Sequence, residues 1–263
     1  MLAPGHYEAL IAALWQAGFS VAGLHLSGHG KLRDKNNFTF ESLLGEGLKA
    51  EAWLHANGFG PLVVVGHSQG GIMALAHATI SATLLGAFSI CAVLPRMESA
   101  ISLTRFASLA CYKEIILSLL RKAASICPGL PIPLPLYLKL SRIMAGRKYP
   151  VHMGNAEGRI SYPLRYLVSL FDADISIRLL CPFWLCSAKN DALFTTGISE
   201  EVFGIIKAPA KKMLWLEEGG HMAPLNPVLA HFIARSIACE CAASGMPLVI
   251  GNDFFYEGLE HEI

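Results

Sequence analysis

The stretch PLVVVGHSQGG, Pro61 to Gly71, decides the fold of this chain. Its apolar residues predict a buried strand, and the following GGIMALAHATI has the apolar composition of a packed helix. The G-x-S-x-G pattern centred on Ser68 lies at the junction between them. In that setting the pattern is typical of a nucleophile elbow, a strained turn that lifts a serine hydroxyl out of a sheet. An ordinary helix N-cap is the alternative role for Ser68.

Strand and helix patterns alternate on both sides of this junction. The segment HYEALIAALWQAG predicts a first helix, FSVAGLHL a strand, and ESLLGEGLKAEAWLHANG a second helix. After Ser68, the segments LLGAFSICAVL, PFWLCSA and KKMLWL predict three further strands, and EEVFGIIKA and NPVLAHFIARSIA predict helices between and after them. This alternation predicts an α/β protein with a parallel sheet flanked by helices.

One segment interrupts the alternation. Residues 94–180 hold the proline-rich CPGLPIPLPLYL and several amphipathic helical stretches but no clear strand, so we predict a helical insert there. The core is then residues 1–93 together with residues 181–240. Residues 241–263 form a C-terminal tail of unassigned state.

A nucleophilic serine needs a base and an acid that orients the base. Asp191 follows the strand PFWLCSA, and His221 follows the strand MLWLEEGG. Both lie at carboxyl ends of predicted strands, where open α/β sheets build their sites, so we expect Asp191 and His221 to complete a triad with Ser68. Capping of the next helix is the alternative role of Asp191. Three other acids near the insert are also candidates: Glu98, Asp172 and Asp174.

Four pieces of sequence, GFSVAGLHLSGHGK, VVVGHSQGG, CPFWLCSAKNDALF and GGHMAPL, occur in this order and cover most of the chain outside the insert. With them the chain resembles the α/β-hydrolase superfamily, in particular its esterase, monoacylglycerol-lipase and serine-aminopeptidase-like members. The resemblance implies an α/β-hydrolase sheet with the insert as a cap over the site. Many relatives carry Asp where His25 stands and Ser where Leu32 stands, which affects the loop there rather than the triad.

The resemblance also implies a mechanism that uses no cofactor. His221 takes the proton of Ser68, which forms an acyl-enzyme that water hydrolyses, and Asp191 orients the imidazole. The backbone N–H of Gln69, the residue after the nucleophile, is the expected oxyanion donor. Because Ser68 rather than an aspartate occupies the elbow, dehalogenase and epoxide-hydrolase chemistry are disfavoured.

The composition of the insert bears on the substrate. Six apolar residues there suit a small-molecule ester of an apolar acyl group, with packing against the main domain as their alternative role: Leu130, Ile132, Leu134, Leu136, Leu138 and Leu140. A thioesterase or acyltransferase of the same fold is the alternative enzyme. A truncated, catalytically weak or inactive homologue is the other alternative.

The N-terminus departs from the family pattern. Relatives have several strands before the first helix, whereas only MLAPG precedes it here. We expect those strands to be missing, with a gap beside the strand that ends at Gly66, where the family places a strand and a His-Gly type loop carrying the second oxyanion donor. The coding frame is expected to continue upstream of Met1, and the 263-residue chain to be poorly soluble or weakly active. As an alternative, PLVIG, Pro247 to Gly251, fills the gap.

Charge and cysteine content limit the partners. The formal net charge is +1, with both signs mixed along the chain, so nucleic acid and anionic membrane surfaces are not expected partners. The seven cysteines contain no CxxC pair and no zinc-type spacing, which indicates free thiols in a reducing compartment. His25 and His29 stand four residues apart, but they flank a strand end and a glycine turn, so no metal site is expected. Without a signal peptide or a transmembrane stretch, we expect a cytoplasmic protein.

Overall fold

The computed structural model of the protein describes residues 2–32, 35–146 and 159–245. Four strands form a parallel sheet in the order β1-β2-β5-β6, and two short strands, β3 and β4, form an antiparallel pair. The strand bounds are, in chain order, β1 Leu62–His67, β2 Leu84–Ile90, β3 Pro131–Pro133, β4 Ser161–Pro163, β5 Phe183–Ala188 and β6 Lys211–Leu216. The predicted parallel α/β sheet is therefore confirmed.

Helices connect and cover the strands. The α-helices are α1 Glu8–Gln16, α2 Phe40–Ala56, α3 Gln69–Ala78, α4 Lys113–Ile126, α5 Leu134–Tyr137, α6 Leu140–Met144, α7 Leu164–Asp172, α8 Thr196–Ile205 and α9 Pro227–Ala243. Five short 3-10 helices complete the described elements: Pro4–Tyr7, Gly30–Leu32, Glu98–Leu103, Ala107–Tyr112 and Gly220–Leu225. Each helix predicted between the core strands is present.

The prediction of a strand at FSVAGLHL was wrong. Residues 19–26 have no regular secondary structure and are mostly half-buried or exposed. Within the described residues the sheet ends at β1, and none of its strands pairs with residues 19–26. A strand forms only where a neighbour completes its hydrogen bonds, so apolar alternation alone does not produce one.

Among the described residues between 94 and 180, helices predominate, and two short strands are also present. The sequence indicated no strand there, but Ile132 of β3 pairs with Tyr162 of β4. Each strand has only three residues and contains proline, which is too short for a periodic apolar signal.

The end of this region belongs to the hydrophobic core of the protein. Tyr162, Tyr166 and Leu170 are almost completely buried and join the same cluster as Phe88 of β2 and Leu185 of β5. Helix α4 is different, since most of its residues are exposed and only Leu117 is buried. Residues 162–170 therefore contribute more buried apolar surface to the stability of the protein than α4 does.

The C-terminal tail and the possibility of a membrane-spanning helix can each be compared with the structure. Residues 241–243 complete α9, while PLVIG lies outside the described residues. Within the described part of the chain, every helix is too short or too polar to cross a bilayer.

Candidate active site

Ser68 occupies the sharp turn between β1 and α3. Its backbone has φ 57° and ψ −116°, a conformation that residues other than glycine rarely adopt. The turn is held at both ends, because the Ser68 N–H donates to the carbonyl of Ile90 at 2.8 Å and the Ile72 N–H donates to the carbonyl of Ser68 at 3.1 Å. Strain of this kind persists only where surrounding structure enforces it, which favours a functional role over simple capping.

Two glycines leave room for the turn. A Cβ on Gly66 would lie 1.9 Å from the carbonyl oxygen of Gly70, and a Cβ on Gly71 would lie 3.0 Å from the carbonyl oxygen of Ile90. By contrast, a Cβ on Gly70 would meet no atom within 4 Å. The steric requirement therefore falls on the first and last glycines of GHSQGG, and the second glycine of the G-x-S-x-G pattern is not needed for space.

His221 connects Ser68 to Asp191. Its Nε2 lies 3.0 Å from Oγ of Ser68, and its Nδ1 lies 3.1 Å from Oδ2 of Asp191. All three residues follow strands of the parallel sheet, β1, β5 and β6, so their shared position at the carboxyl edge brings them together. The phenyl ring of Phe194 stacks on the imidazole at 5.2 Å and fixes its plane.

Asp191 is buried and accepts several hydrogen bonds. The N–H groups of Leu193 and Phe194 donate to its Oδ1 at 2.7 Å and 2.9 Å. Burial alone would raise the pKa of Asp191, but the hydrogen bond and charge of His221, followed by these backbone donors, lower it. The carboxylate is therefore held in its charged form beside the imidazole.

The other acidic candidates lie elsewhere. Asp172 pairs with Arg121 at 2.6 Å, Asp174 pairs with Arg96 at 3.0 Å, and Glu98 begins a 3-10 helix. Asp191 is the acid that contacts His221.

Comparison with known proteins identifies the family. A model of the alpha/beta hydrolase family matches residues 1–230. The chain belongs to that family. No curated protein matches the sequence significantly.

Several solved structures share the fold of this alpha/beta hydrolase. A monoacylglycerol lipase from Paleococcus ferrophilus has a TM-score of 0.68 at 19% identity, over 92% of this chain and 91% of that one. A thermophilic esterase from Thermogutta terrifontis has a TM-score of 0.63 at 17% identity, over 92% and 86%. A soluble variant of monoglyceride lipase from Saccharomyces cerevisiae has a TM-score of 0.60 at 14% identity, over 83% and 75%.

Sequence reasoning missed several contacts around Asp191 and His221 in this hydrolase. The Cys91 thiol lies 3.3 Å from Oδ2 of Asp191, and His67 contacts both Tyr7 and the carbonyl of His221. Cys91 also has a positive φ of 56°, the only other non-glycine in the described residues with that feature. Tyr7 and Cys91 lie far in sequence from the residues they contact, so no local pattern marks them, whereas His67 directly precedes Ser68 in the GHSQGG stretch.

Gln69 begins α3 immediately after the turn. Its backbone N–H is among the first in the helix, and such groups have no acceptor within the helix. Its side-chain amide donates to the hydroxyl of Tyr166, which lies on α7. A buried tyrosine of the region 94–180 is thus bonded directly to the residue next to Ser68.

A metal ion would have to compete with existing hydrogen bonds. One ring nitrogen each of His67 and His221 and the sulfur of Cys91 lie within 4.8 Å of one another. Both nitrogens of both rings and the thiol already have partners in the protein, so we interpret the cluster as part of the hydrogen-bond network around Asp191. His29 likewise bonds Tyr162 at 2.9 Å.

Proposed function

We propose that this protein is a serine hydrolase that cleaves carboxylic esters of apolar acyl groups, with Ser68 as nucleophile, His221 as base and Asp191 as the orienting acid. The observation that carries the proposal is the position of His221, 3.0 Å from the Ser68 hydroxyl and 3.1 Å from the Asp191 carboxylate. Family membership and the shared fold with proteins named as lipases and esterases support the reaction class.

The hydrogen bonds indicate how the proton moves. A carboxylate only accepts, so Nδ1 of His221 carries a proton and donates it to Asp191. The neutral ring then has a bare Nε2, which accepts the hydroxyl proton as Oγ of Ser68 attacks the ester carbonyl. The alcohol leaves with that proton. Water, deprotonated by the same Nε2, then attacks the acyl-enzyme, the acid leaves, and Nε2 returns the proton to Oγ of Ser68. Asp191 stabilises the imidazolium formed in each step.

The anion that develops on the carbonyl oxygen needs donors in fixed positions. We propose the backbone N–H of Gln69 as one donor, because it opens α3 and the helix dipole favours negative charge there. The bond from the Gln69 side chain to Tyr166 holds this residue in place.

The substrate class rests on the insert, for which we propose the bounds 94–180 and the role of a cap. Of the six apolar residues singled out in the sequence, Leu134 is buried and Ile132 and Leu138 pack against the core, whereas Leu130, Leu136 and Leu140 are exposed at 40% or more. The exposed half of the set is not used to fill the core, so we propose that it is available to contact an apolar acyl group.

The seven cysteines are all free. Free thiols of this number are typical of a reducing compartment, so we propose a cytoplasmic protein.

Covalent labelling tests the proposal directly. A fluorophosphonate probe should label the wild-type protein at Ser68, while Ser68→Ala should remain unlabelled and Ser118→Ala, a change at an exposed serine of α4, should label normally. Failure of the folded wild type to label would support an inactive homologue. Rates on acyl-CoA and p-nitrophenyl esters of equal chain length then separate ester from thioester hydrolysis.

A further inference from the structure

The imidazole of His67 lies directly behind the base and is bonded on both sides. Its Nε2 lies 2.8 Å from the backbone carbonyl oxygen of His221, and its Nδ1 lies 2.8 Å from the hydroxyl of Tyr7. The two histidine rings are 4.8 Å apart between centroids. His67 therefore joins three elements, the 3-10 helix Pro4–Tyr7, the end of β1 and the 3-10 helix that carries His221.

The partners of His67 determine where each proton lies. A carbonyl oxygen only accepts, so Nε2 of His67 carries the proton and donates it. Burial, together with the positive charge that His221 can carry, lowers the pKa of His67 to about 3. The ring thus holds a single proton, Nδ1 is bare, and the Tyr7 hydroxyl donates to it. Burial raises the pKa of Tyr7, which keeps that hydroxyl protonated.

We infer that Tyr7 and His67 are positioning residues for His221: Tyr7 fixes His67 as the neutral Nε2–H tautomer, and His67 fixes the backbone of His221. The inference rests on the proposed function, in which His221 gains a proton during the reaction. A second cation at this distance would oppose that step, so the His67 ring must stay neutral.

The surroundings of His67 contain few other titratable groups. Asp191 favours positive charge on His67 and His221 opposes it, while Cys91 interacts with Tyr7. Asp191 is engaged by His221 itself, so the Tyr7 hydroxyl is the group that occupies Nδ1 directly.

Two substitutions of His67 distinguish its hydrogen bond to the His221 carbonyl from its contribution to packing. His67→Leu removes the donor to His221, and we expect kcat to fall by about 10- to 100-fold with little change in KM, the loss expected when a buried acceptor is left unpaired. His67→Gln places an amide nitrogen near the position of Nε2, so it should recover most of the wild-type kcat.

Tyr7→Phe tests the tautomer. The phenylalanine leaves Nδ1 without its donor, so the ring proton is free to move from Nε2 to Nδ1, while burial still keeps the pKa of His67 low. We expect kcat to fall by about 3- to 10-fold with the acid limb of kcat/KM unmoved, because part of the population no longer donates to the His221 carbonyl. In Tyr7→Phe/His67→Gln there is no imidazole tautomer to lose, so kcat should match that of His67→Gln.

Nitrogen NMR of the His67 ring gives a readout that does not require hydrolysis. Wild type should show the neutral Nε2–H tautomer between about pH 5 and pH 8, and Tyr7→Phe should show a measurable share of the neutral Nδ1–H tautomer within that range. An Nδ1–H tautomer in wild type would overturn the inference, as would an unchanged tautomer in Tyr7→Phe, or a further loss of kcat when Tyr7→Phe is added to His67→Gln. Wild type that shows the expected tautomer but hydrolyses no ester would contradict the proposed function and support the hydrogen-bonded chain.

Discussion

The Cys91 thiol and the His221 imidazole share one carboxylate oxygen, Oδ2 of Asp191, at 3.3 Å and 3.1 Å. Burial raises the pKa of Cys91 well above its ordinary value, so the sulfur keeps its proton and donates. The acid of the proposed triad is thereby held from two sides, and its second oxygen is held by backbone donors.

Removing this thiol should weaken the hold on Asp191. For Cys91→Ala we expect kcat to fall by about 2- to 10-fold, the equivalent of one net hydrogen bond. Cys91→Ser keeps a donor and should remain within about twofold of wild type. Cys241→Ala, at a buried thiol on α9, is the matched control and should leave kcat unchanged. Equal rates for Cys91→Ala and wild type would show that the contact has no role in catalysis.

Substitutions in the proposed triad should have much larger effects. Ser68→Ala and His221→Ala should each lower kcat for short p-nitrophenyl esters by at least about a thousandfold, because triad members act as a unit. Asp191→Asn should cost somewhat less, about 100- to 10,000-fold, since an amide facing Nδ1 favours the tautomer that cannot accept from Ser68. Ser68→Ala with more than a tenth of the wild-type rate would rule out this nucleophile.

The contact between Gln69 and Tyr166 predicts a link between the insert and the elbow. Tyr166→Phe leaves the half-buried Gln69 amide without its acceptor, so we expect the free energy of unfolding to fall by about 0.5–1.5 kcal/mol and kcat to fall with it. Tyr137→Phe is the control, because the Tyr137 hydroxyl is buried without a hydrogen-bond partner among the described residues. Urea unfolding and kcat, measured on both variants, would contradict the link if the two behaved alike.

Much of this architecture follows from the sequence, for local reasons. The strand-to-helix turn at Ser68 and the two strand ends that carry Asp191 and His221 are each marked by contiguous residues, and parallel topology brings such ends together. The strand predicted at FSVAGLHL does not form, because strand pairing depends on a neighbouring strand as well as on composition. Tyr7 and Cys91 could not be assigned, since their contacts join residues 60 and 100 positions apart.

A second buried network lies away from the site. Glu51 of α2 is only 7% exposed, and it accepts hydrogen bonds from His77 of α3 at 2.5 Å and from Ser81 at 2.6 Å, with Thr83 as a third partner. These bonds tie α2 to α3 and to the loop before β2. Glu51→Gln replaces a charged acceptor with a neutral amide, so the free energy of unfolding at neutral pH should fall by about 1–3 kcal/mol.

The effect of Glu51 on stability should depend on pH with a defined sign. Burial alone would raise the pKa of Glu51, but the hydrogen bonds from Ser81, Thr83 and His77 outweigh burial and lower it. A carboxyl whose pKa is lower in the folded state stabilises the protein fully above its unfolded value of about 4.3, and loses that contribution as the pH falls through the folded value. The difference in unfolding free energy between wild type and Glu51→Gln should therefore be constant near neutral pH and shrink below about pH 4.5.

Urea titrations across this range measure the difference. Glu200→Gln, at an exposed position of α8, is the control and is expected within about 0.5 kcal/mol of wild type throughout. A difference that grew on acidification would mean that Glu51 is protonated in the folded protein.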